Sequence, residues 1–318
     1  MSEYTSLGFI GLGAMGKPMA EQLAKKLPST TKMIVYDVIE SVVKELAEKY
    51  SGMVIAGTSP KDVTENSQLI FSMVPEGAHV RSVYLDEKTG VCSTDLGERI
   101  LVDCSTIDIA TNLAVKDHVK THHPKAYFYD APVSGGVIGA ENGSIAFFLG
   151  CAATDPNLER LTKLLDLMGK QVIPCGQPSL GLSAKLCNNY LSGLIAIANS
   201  EALIMGMKAG LDPRVLSSAF GAGTAQNTIC DKFNPCPGVA PTSPSTNGYK
   251  GGFKVRLMKK DFSLAVDLAK QQGVDLVLGA QGLKTYENAS NDPKCRDLDS
   301  RVVFRHLGGD EDWATKFN

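Results

Sequence analysis

From Leu7 to Pro174 short apolar runs alternate with stretches patterned as helices, and this alternation constrains the fold before any single residue is considered. The runs are Leu7 to Ile10, Met33 to Tyr36, Val54 to Ala56, Leu69 to Val74, Ile100 to Val102, Tyr127 to Tyr129, Ile145 to Leu149 and Val172 to Pro174. Between them, Val42, Val43, Leu46, Ala47 and Tyr50 fall at three-and-four spacing, while Ser59-Pro60 and Glu76 mark helix starts. Strands that alternate with helices predict an α/β domain built on one mainly parallel, doubly wound sheet. After Gly176 the strand-like runs almost vanish, so an all-α domain is expected to follow, with domains at 1–178 and 179–318.

The second domain opens on a predicted helix from about Leu182 to Lys208, roughly 40 Å long at 1.5 Å per residue. It is apolar or small nearly all round, which requires burial between domains or between subunits, so a homodimer or homotetramer is expected. Its core stretch, Leu186 to Ser200, holds Asn188, Asn189 and Asn199 and reads as too short and too polar to span a bilayer. Asp212-Pro213 caps a further helix, and Lys259 to Gln272 forms an amphipathic one. Asn234 to Gly252, rich in Pro, Gly, Ser and Thr, reads as a long ordered loop or lid.

Composition narrows the function classes. Of 318 residues, 32 are Lys or Arg and 34 Asp or Glu, and the basic residues are scattered, which argues against a nucleic-acid partner. The eight cysteines include no C-x-x-C pair, and no histidine sits at ligand spacing, so a reduced compartment and no metal are expected. The start, Met1 to Tyr4, shows no basic n-region and no transit pattern, and the end, Lys316 to Asn318, is no peroxisomal address, which points to the cytoplasm.

The first apolar run leads into Gly11-Leu12-Gly13-Ala14-Met15-Gly16 and then a helical stretch. A G-x-G-x-x-G after a strand and opening a helix binds a dinucleotide: one glycine for the turn, one for backbone approach to the pyrophosphate, one for close helix packing. The second strand ends at Asp37, about 20 residues further on, where a carboxylate accepts from the adenosine ribose and repels a 2′-phosphate, favouring NAD over NADP. Ligands of such sheets lie beyond the strand C-termini, which brings in Met73-Val74-Pro75 and the loop Asp103 to Asp108, although each stretch alone also suits an ordinary loop. The loop Asp130 to Val137 is denser in small residues than a turn needs, and the amides of Ser134, Gly135 and Gly136 could cradle a carboxylate, a flexible hairpin being the alternative. On a helix, Gly181, Lys185, Asn188, Asn189 and Ser192 share one face. A lysine in so apolar a segment either snorkels to the surface or, beside a nicotinamide, has its pKa lowered by desolvation and exchanges a proton with a hydroxyl.

Taken together these segments resemble the β-hydroxyacid dehydrogenase family, and within it the 3-hydroxyisobutyrate dehydrogenases. The resemblance spans nearly the whole chain: Gly11 to Gly16, Asp130-Ala131-Pro132-Val133-Ser134-Gly135-Gly136-Val137, Gly181 with Lys185 and Asn188-Asn189, and Lys260-Asp261. The stretches Asn234 to Val239 and Tyr249 to Phe253 look like an insert of the eukaryotic members. The resemblance implies a Rossmann-type domain followed by the helical domain, and reversible oxidation of a primary alcohol β to a carboxylate. Lys185 would be the catalytic acid/base, and Asn189, with Asn188 beside it, would position substrate. Ser134, Gly135 and Gly136 would hold the carboxylate. Val74, Pro75, His79, Thr106 and Lys260 would line the cofactor, and Phe253 would close the site. The family usually has Asn where this chain has His79. Eukaryotic relatives are mitochondrial, which implies the matrix if the chain is a processed form.

Rival readings differ at identifiable residues. An imine reductase on this scaffold would lack Lys185, a 6-phosphogluconate-type enzyme would need a larger helical domain, and a non-catalytic reader would carry basic appendages. Among 3-hydroxy acids, 3-hydroxyisobutyrate leads, with 3-hydroxypropionate and tartronate semialdehyde as alternatives.

Overall fold

A computed structural model describes residues 4–316, so the terminal readings at Met1 to Glu3 and at Phe317 and Asn318 lie outside the described residues. The chain divides into two compact units, 1–185 and 186–318.

In the first unit the elements run β1 (Ser6–Ile10), α1 (Gly16–Lys26), β2 (Lys32–Tyr36), α2 (Glu40–Lys49), β3 (Val54–Ala56), α3 (Pro60–Glu65), β4 (Leu69–Ser72), α4 (Gly77–Leu85), β5 (Ile100–Asp103), α5 (Ile109–His122) and β6 (Tyr127–Asp130). These six strands form a parallel sheet in the order β3-β2-β1-β4-β5-β6. The order reverses between β1 and β4, the place where open sheets of this kind bind ligands beyond their strand ends. Alternate residues feed opposite faces: Phe9, Met33, Val35, Phe71 and Val102 pack on one side, and Ile10, Ile34, Ile70 and Leu101 on the other. A sheet buried on both faces explains why its strands read as continuous apolar runs.

The expectation of one sheet needs correcting at its end. After β6 come β7 (Val133–Ser134), α6 (Gly136–Glu141), β8 (Ile145–Leu149), α7 (Leu158–Leu165) and β9 (Gly169–Pro174), and β7, β8 and β9 make a separate three-stranded sheet. β7 pairs antiparallel with β8, because the connection between them is too short for a crossover to a parallel neighbour.

α8 (Leu180–Lys208) begins in the first unit and ends in the second. At 29 residues it is long and apolar enough, by length and composition alone, to cross a membrane, a test that the core helix of a soluble protein also passes. Its polar residues are nonetheless engaged in the second unit, Asn189 with Asp261 and Asn199 with Asn227.

The rest of the second unit comprises α9 (Pro213–Ala222), capped by Asp212, then α10 (Thr228–Lys232), α11 (Val255–Gln271), α12 (Gly279–Asn291) and α13 (Val303–His306). Phe262, Tyr286, Met258 and Val302 make one core cluster, and Leu203, Cys236, Phe304 and Trp313 another. The segment 234–252 contributes Cys236 and Tyr249 to these clusters. The Asn234 carbonyl accepts from Ser243 and Ser245, and the Tyr249 hydroxyl donates to the Pro235 carbonyl. It is a packed loop, and its buried anchors make it part of the core of this unit rather than a lid.

Candidate active site

The glycine-rich turn stands where β1 meets α1. Gly11 has φ +92°, and a side chain there would run into the Met73 carbonyl, just as one at Gly16 would run into the Gly11 carbonyl. Gly13 is different: it is exposed, and a Cβ there meets nothing within 4 Å. Gly11 and Gly16 are required by the protein's own packing, whereas Gly13 leaves open space. No side chain caps the first turn of α1 and no acidic residue occupies it, so its amides suit an anion. At the neighbouring strand end, Asp37 Oδ2 accepts from the Leu12 amide at 2.6 Å and Oδ1 from the Ile39 amide at 2.8 Å. These bonds hold the carboxylate beside the glycine turn. The site fits a dinucleotide.

The ends of β4 and β5 are tied by a buried network that sequence reading did not find. Ser105 Oγ accepts from the Val74 amide at 2.9 Å and donates to Asp103 Oδ1 at 2.6 Å. Ser72 Oγ donates to the same oxygen at 2.8 Å, so the Tyr84 hydroxyl, 2.8 Å from Ser72 Oγ, must be the donor in that pair. The network fixes the Val74 backbone, while Pro75 and His79 stay exposed and Thr106 is half-buried. Burial pushes the Asp103 carboxyl up to about 6, against the opposing bonds from Ser105 and Ser72. A carboxyl raised in the folded state stabilises it fully below the unfolded pKa of about 4 and loses that contribution as pH rises through about 6. Urea unfolding of wild type and Asp103→Asn should therefore show the variant gaining on wild type between pH 4 and 7, by on the order of 2–3 kcal/mol. A difference constant with pH would contradict the account.

Ser134 ends β7, and Gly135 and Gly136 follow with φ +134° and +65°, turning the chain into α6. Gly136 has open space where a side chain would project, and Gly135 lies against Ile145.

Lys185 lies in the first helical turns of α8 and is 7 % exposed. That start is held by Asp130, whose Oδ1 accepts from the Ser179 amide at 2.6 Å and Oδ2 from the Leu182 amide at 2.8 Å. Burial raises the Asp130 carboxyl despite these bonds. A Cβ at Gly181 would strike the Phe148 carbonyl and lie 2.8 Å from Asp130 Oδ2, so this glycine serves the packing of the helix start. Nothing in the local sequence of Asp130-Ala131-Pro132 signals the helix start that Asp130 holds 49 positions away.

In the second unit Asn189 is 5 % exposed, and its Nδ2 donates to Asp261 Oδ2 at 2.6 Å. Asp261 Oδ1 lies 3.2 Å from Lys260 Nζ. Asn188, three residues on from Lys185 along α8, is exposed, and its Nδ2 donates to Asn189 Oδ1 at 3.1 Å. Phe253 and Lys260 are both half-buried.

Comparison with known proteins agrees with this layout. Residues 6–176 match the NAD binding domain of 6-phosphogluconate dehydrogenase, and residues 180–307 match the NAD-binding region of NADP-dependent 3-hydroxyisobutyrate dehydrogenase. A probable mitochondrial 3-hydroxyisobutyrate dehydrogenase of Dictyostelium discoideum is 41 % identical over 285 residues, covering 90 % of this chain and 85 % of the relative. An NAD-dependent L-serine dehydrogenase of Pseudomonas aeruginosa is 33 % identical, covering 88 % and 90 %. The Mycobacterium tuberculosis 3-hydroxyisobutyrate dehydrogenase, solved with L-serine, superposes with a TM-score of 0.87 at 29 % identity over 97 % of this chain and 100 % of that one. With the dinucleotide turn in the first unit and the helical match in the second, the chain belongs to the 3-hydroxyisobutyrate dehydrogenase family, nicotinamide-dependent oxidoreductases acting on CH–OH groups.

Proposed function

We propose that the protein oxidises 3-hydroxyisobutyrate, or a closely related 3-hydroxy acid, reversibly to its semialdehyde with NAD, and that Lys185 is the general acid/base. The observation that carries this reading is a lysine 7 % exposed near the start of a helix that Asp130 anchors through two backbone amides. A buried lysine is rare without a task. The Gly11 to Gly16 turn holds the pyrophosphate and Asp37 the ribose. Val74, Pro75, His79, Thr106, Phe253 and Lys260 complete the cofactor contacts. Ser134, Gly135 and Gly136 hold the substrate carboxylate, and Asn189 orients the molecule. The bound nicotinamide supplies the hydride acceptor. Lys185 Nζ takes the hydroxyl proton as the carbinol C–H bond breaks, and returns it in the reverse direction. The apolar surface of α8, with Leu191 58 % and Met205 71 % exposed, supports a homodimer or homotetramer, which light scattering would count.

A panel assay tests the substrate class. The free acid should exceed its methyl ester by tenfold to a hundredfold or more in kcat/KM, since the ester forfeits charge-assisted bonds worth roughly 1.5–3 kcal/mol each. Equal efficiencies would remove the carboxylate anchor. L-Serine belongs in the panel with 3-hydroxypropionate, because it is a 3-hydroxy acid itself and is named for a relative and in a solved structure of the family.

Cofactor choice rests on Asp37. Asp37→Ser should weaken NAD and relieve repulsion of a 2′-phosphate, shifting preference toward NADP by roughly 1–3 kcal/mol in the ratio of kcat/KM values. A wild type that already prefers NADP would refute the assignment.

A further inference from the structure

One cluster lies apart from the dinucleotide end of the sheet. Cys92 sits in a 3-10 turn, Val91–Ser93, between α4 and β5, while His118 lies in the last turns of α5 and His123 ends that helix just before β6. In a parallel sheet the segments that enter strands gather at the edge opposite the one where ligands bind, so this cluster is at the far edge from the glycine turn. The Cys92 thiol and one ring nitrogen from each histidine all lie within 4.8 Å of one another. His123 Nε2 is also 3.2 Å from the Cys92 carbonyl, and His118 stacks on His122 with ring centroids 4.2 Å apart.

We propose that Cys92, His118 and His123 form a binding site for a thiophilic transition cation of the Zn²⁺ class, pinning the turn before β5 to the end of α5. One sulfur and two imidazole nitrogens exclude the hard cations, since Ca²⁺ and Mg²⁺ take oxygen ligands. A tetrahedral zinc with these ligands needs donor separations of about 3.3–3.6 Å, so closing the cluster takes a shift of about an ångström. The contact from His123 to the Cys92 carbonyl already joins the two segments. It also fixes one tautomer of the ring, which is how backbone carbonyls orient metal-ligating histidines. Sequence reading expected no metal because no ligand spacing showed. Cys92 and His118 are separated by the whole of β5 and most of α5, and only the fold brings them together.

The second grouping of this kind, Asp292, Cys295 and His306, is less suited. Its carboxylate already accepts from the Lys294 amide at 2.8 Å and from the Cys295 thiol. It serves as the control.

The test loads the intact chain with Zn²⁺, dialyses it against metal-free buffer and measures retained zinc. We expect one equivalent per chain and a thermal midpoint that rises with added Zn²⁺ but not with Mg²⁺. Cys92→Ser and His118→Gln should each lower zinc affinity at least about tenfold, and Cys295→Ser should not. The Co²⁺-loaded wild type should show a thiolate-to-cobalt charge-transfer band that Cys92→Ser lacks. Failure to retain zinc, affinity unchanged in both cluster variants, or affinity lost in Cys295→Ser would each overturn the site. Cofactor affinity is expected to stay constant across these variants, because none of the three residues belongs to the dinucleotide end.

Discussion

Lys185→Ala is expected to fold and to bind NAD as wild type does, while the hydride-transfer step slows by about 10²- to 10⁴-fold, the usual share of a general acid/base. Folding should survive because alanine is the better helix former, and because Asp130 accepts from two backbone amides at the start of α8, where Gly181 packs closely. Cofactor binding should survive because the glycine turn and Asp37 are held by bonds of their own, from the Leu12 and Ile39 amides. Single-turnover measurement of the chemical step, with cofactor titration by fluorescence, separates the two effects. The wild-type oxidation rate should also climb toward alkaline pH, since the amine must be neutral to accept a proton, and the variant should lose that dependence. Near wild-type turnover in the variant, with chemistry rate-limiting, would end the assignment.

What the sequence made legible follows from how local each signal is. Strands buried on both faces appear as unbroken apolar runs, so β1 to β6 could be read to within a residue or two. Helix starts with a local cap were equally plain: Ser59 accepts from the Asp62 amide and Asp212 from the Arg214 amide, as Ser-Pro and Asp-Pro announce. β7 was missed because two residues carry no period, and its antiparallel pairing with β8 is a decision of the fold. The segment 234–252 was open to two readings because Pro, Gly, Ser and Thr look alike in a lid and in a packed loop. Side chains settle it, with Tyr249 fully buried and held at φ +59°.

At the site the same division holds. Gly11 to Gly16 and Asp37 declare themselves through residue type and position relative to a strand end, and Lys185 through its charge in an apolar helix. The groups that hold them do not. Asp103 is an ordinary strand-end aspartate until Ser105 and Ser72, the latter taking a bond from Tyr84, both donate to it. Asp261 is one of a Lys-Asp pair until Asn189 donates to it across 72 positions. A carboxylate at a strand end, preceded by apolar residues and followed by small ones, is the one signal that could have pointed to such supports.

Asp130 holds the start of the helix that carries Lys185, and Asp130→Ala should cost stability and turnover together. Removing the carboxylate orphans the amides of Ser179 and Leu182, both buried, at about 1–3 kcal/mol each, and takes a negative charge from the N-terminus of a 29-residue helix, worth about 0.3–1 kcal/mol. Against this, burial raises the Asp130 carboxyl, so desolvation outweighs the bonds it receives and offsets part of what they contribute. The net loss should therefore fall at the low end of the range, at about 2–4 kcal/mol in denaturant unfolding. Turnover should fall as well, since the first turn of α8 would be free to shift and Lys185 lies just beyond it. Asp130→Asn distinguishes positioning from charge: its Oδ1 still accepts from one amide, but its NH₂ faces the other, so it should regain part of the stability and little of the rate. A variant that keeps full turnover despite the measured loss of stability would show that the helix start holds Lys185 without Asp130.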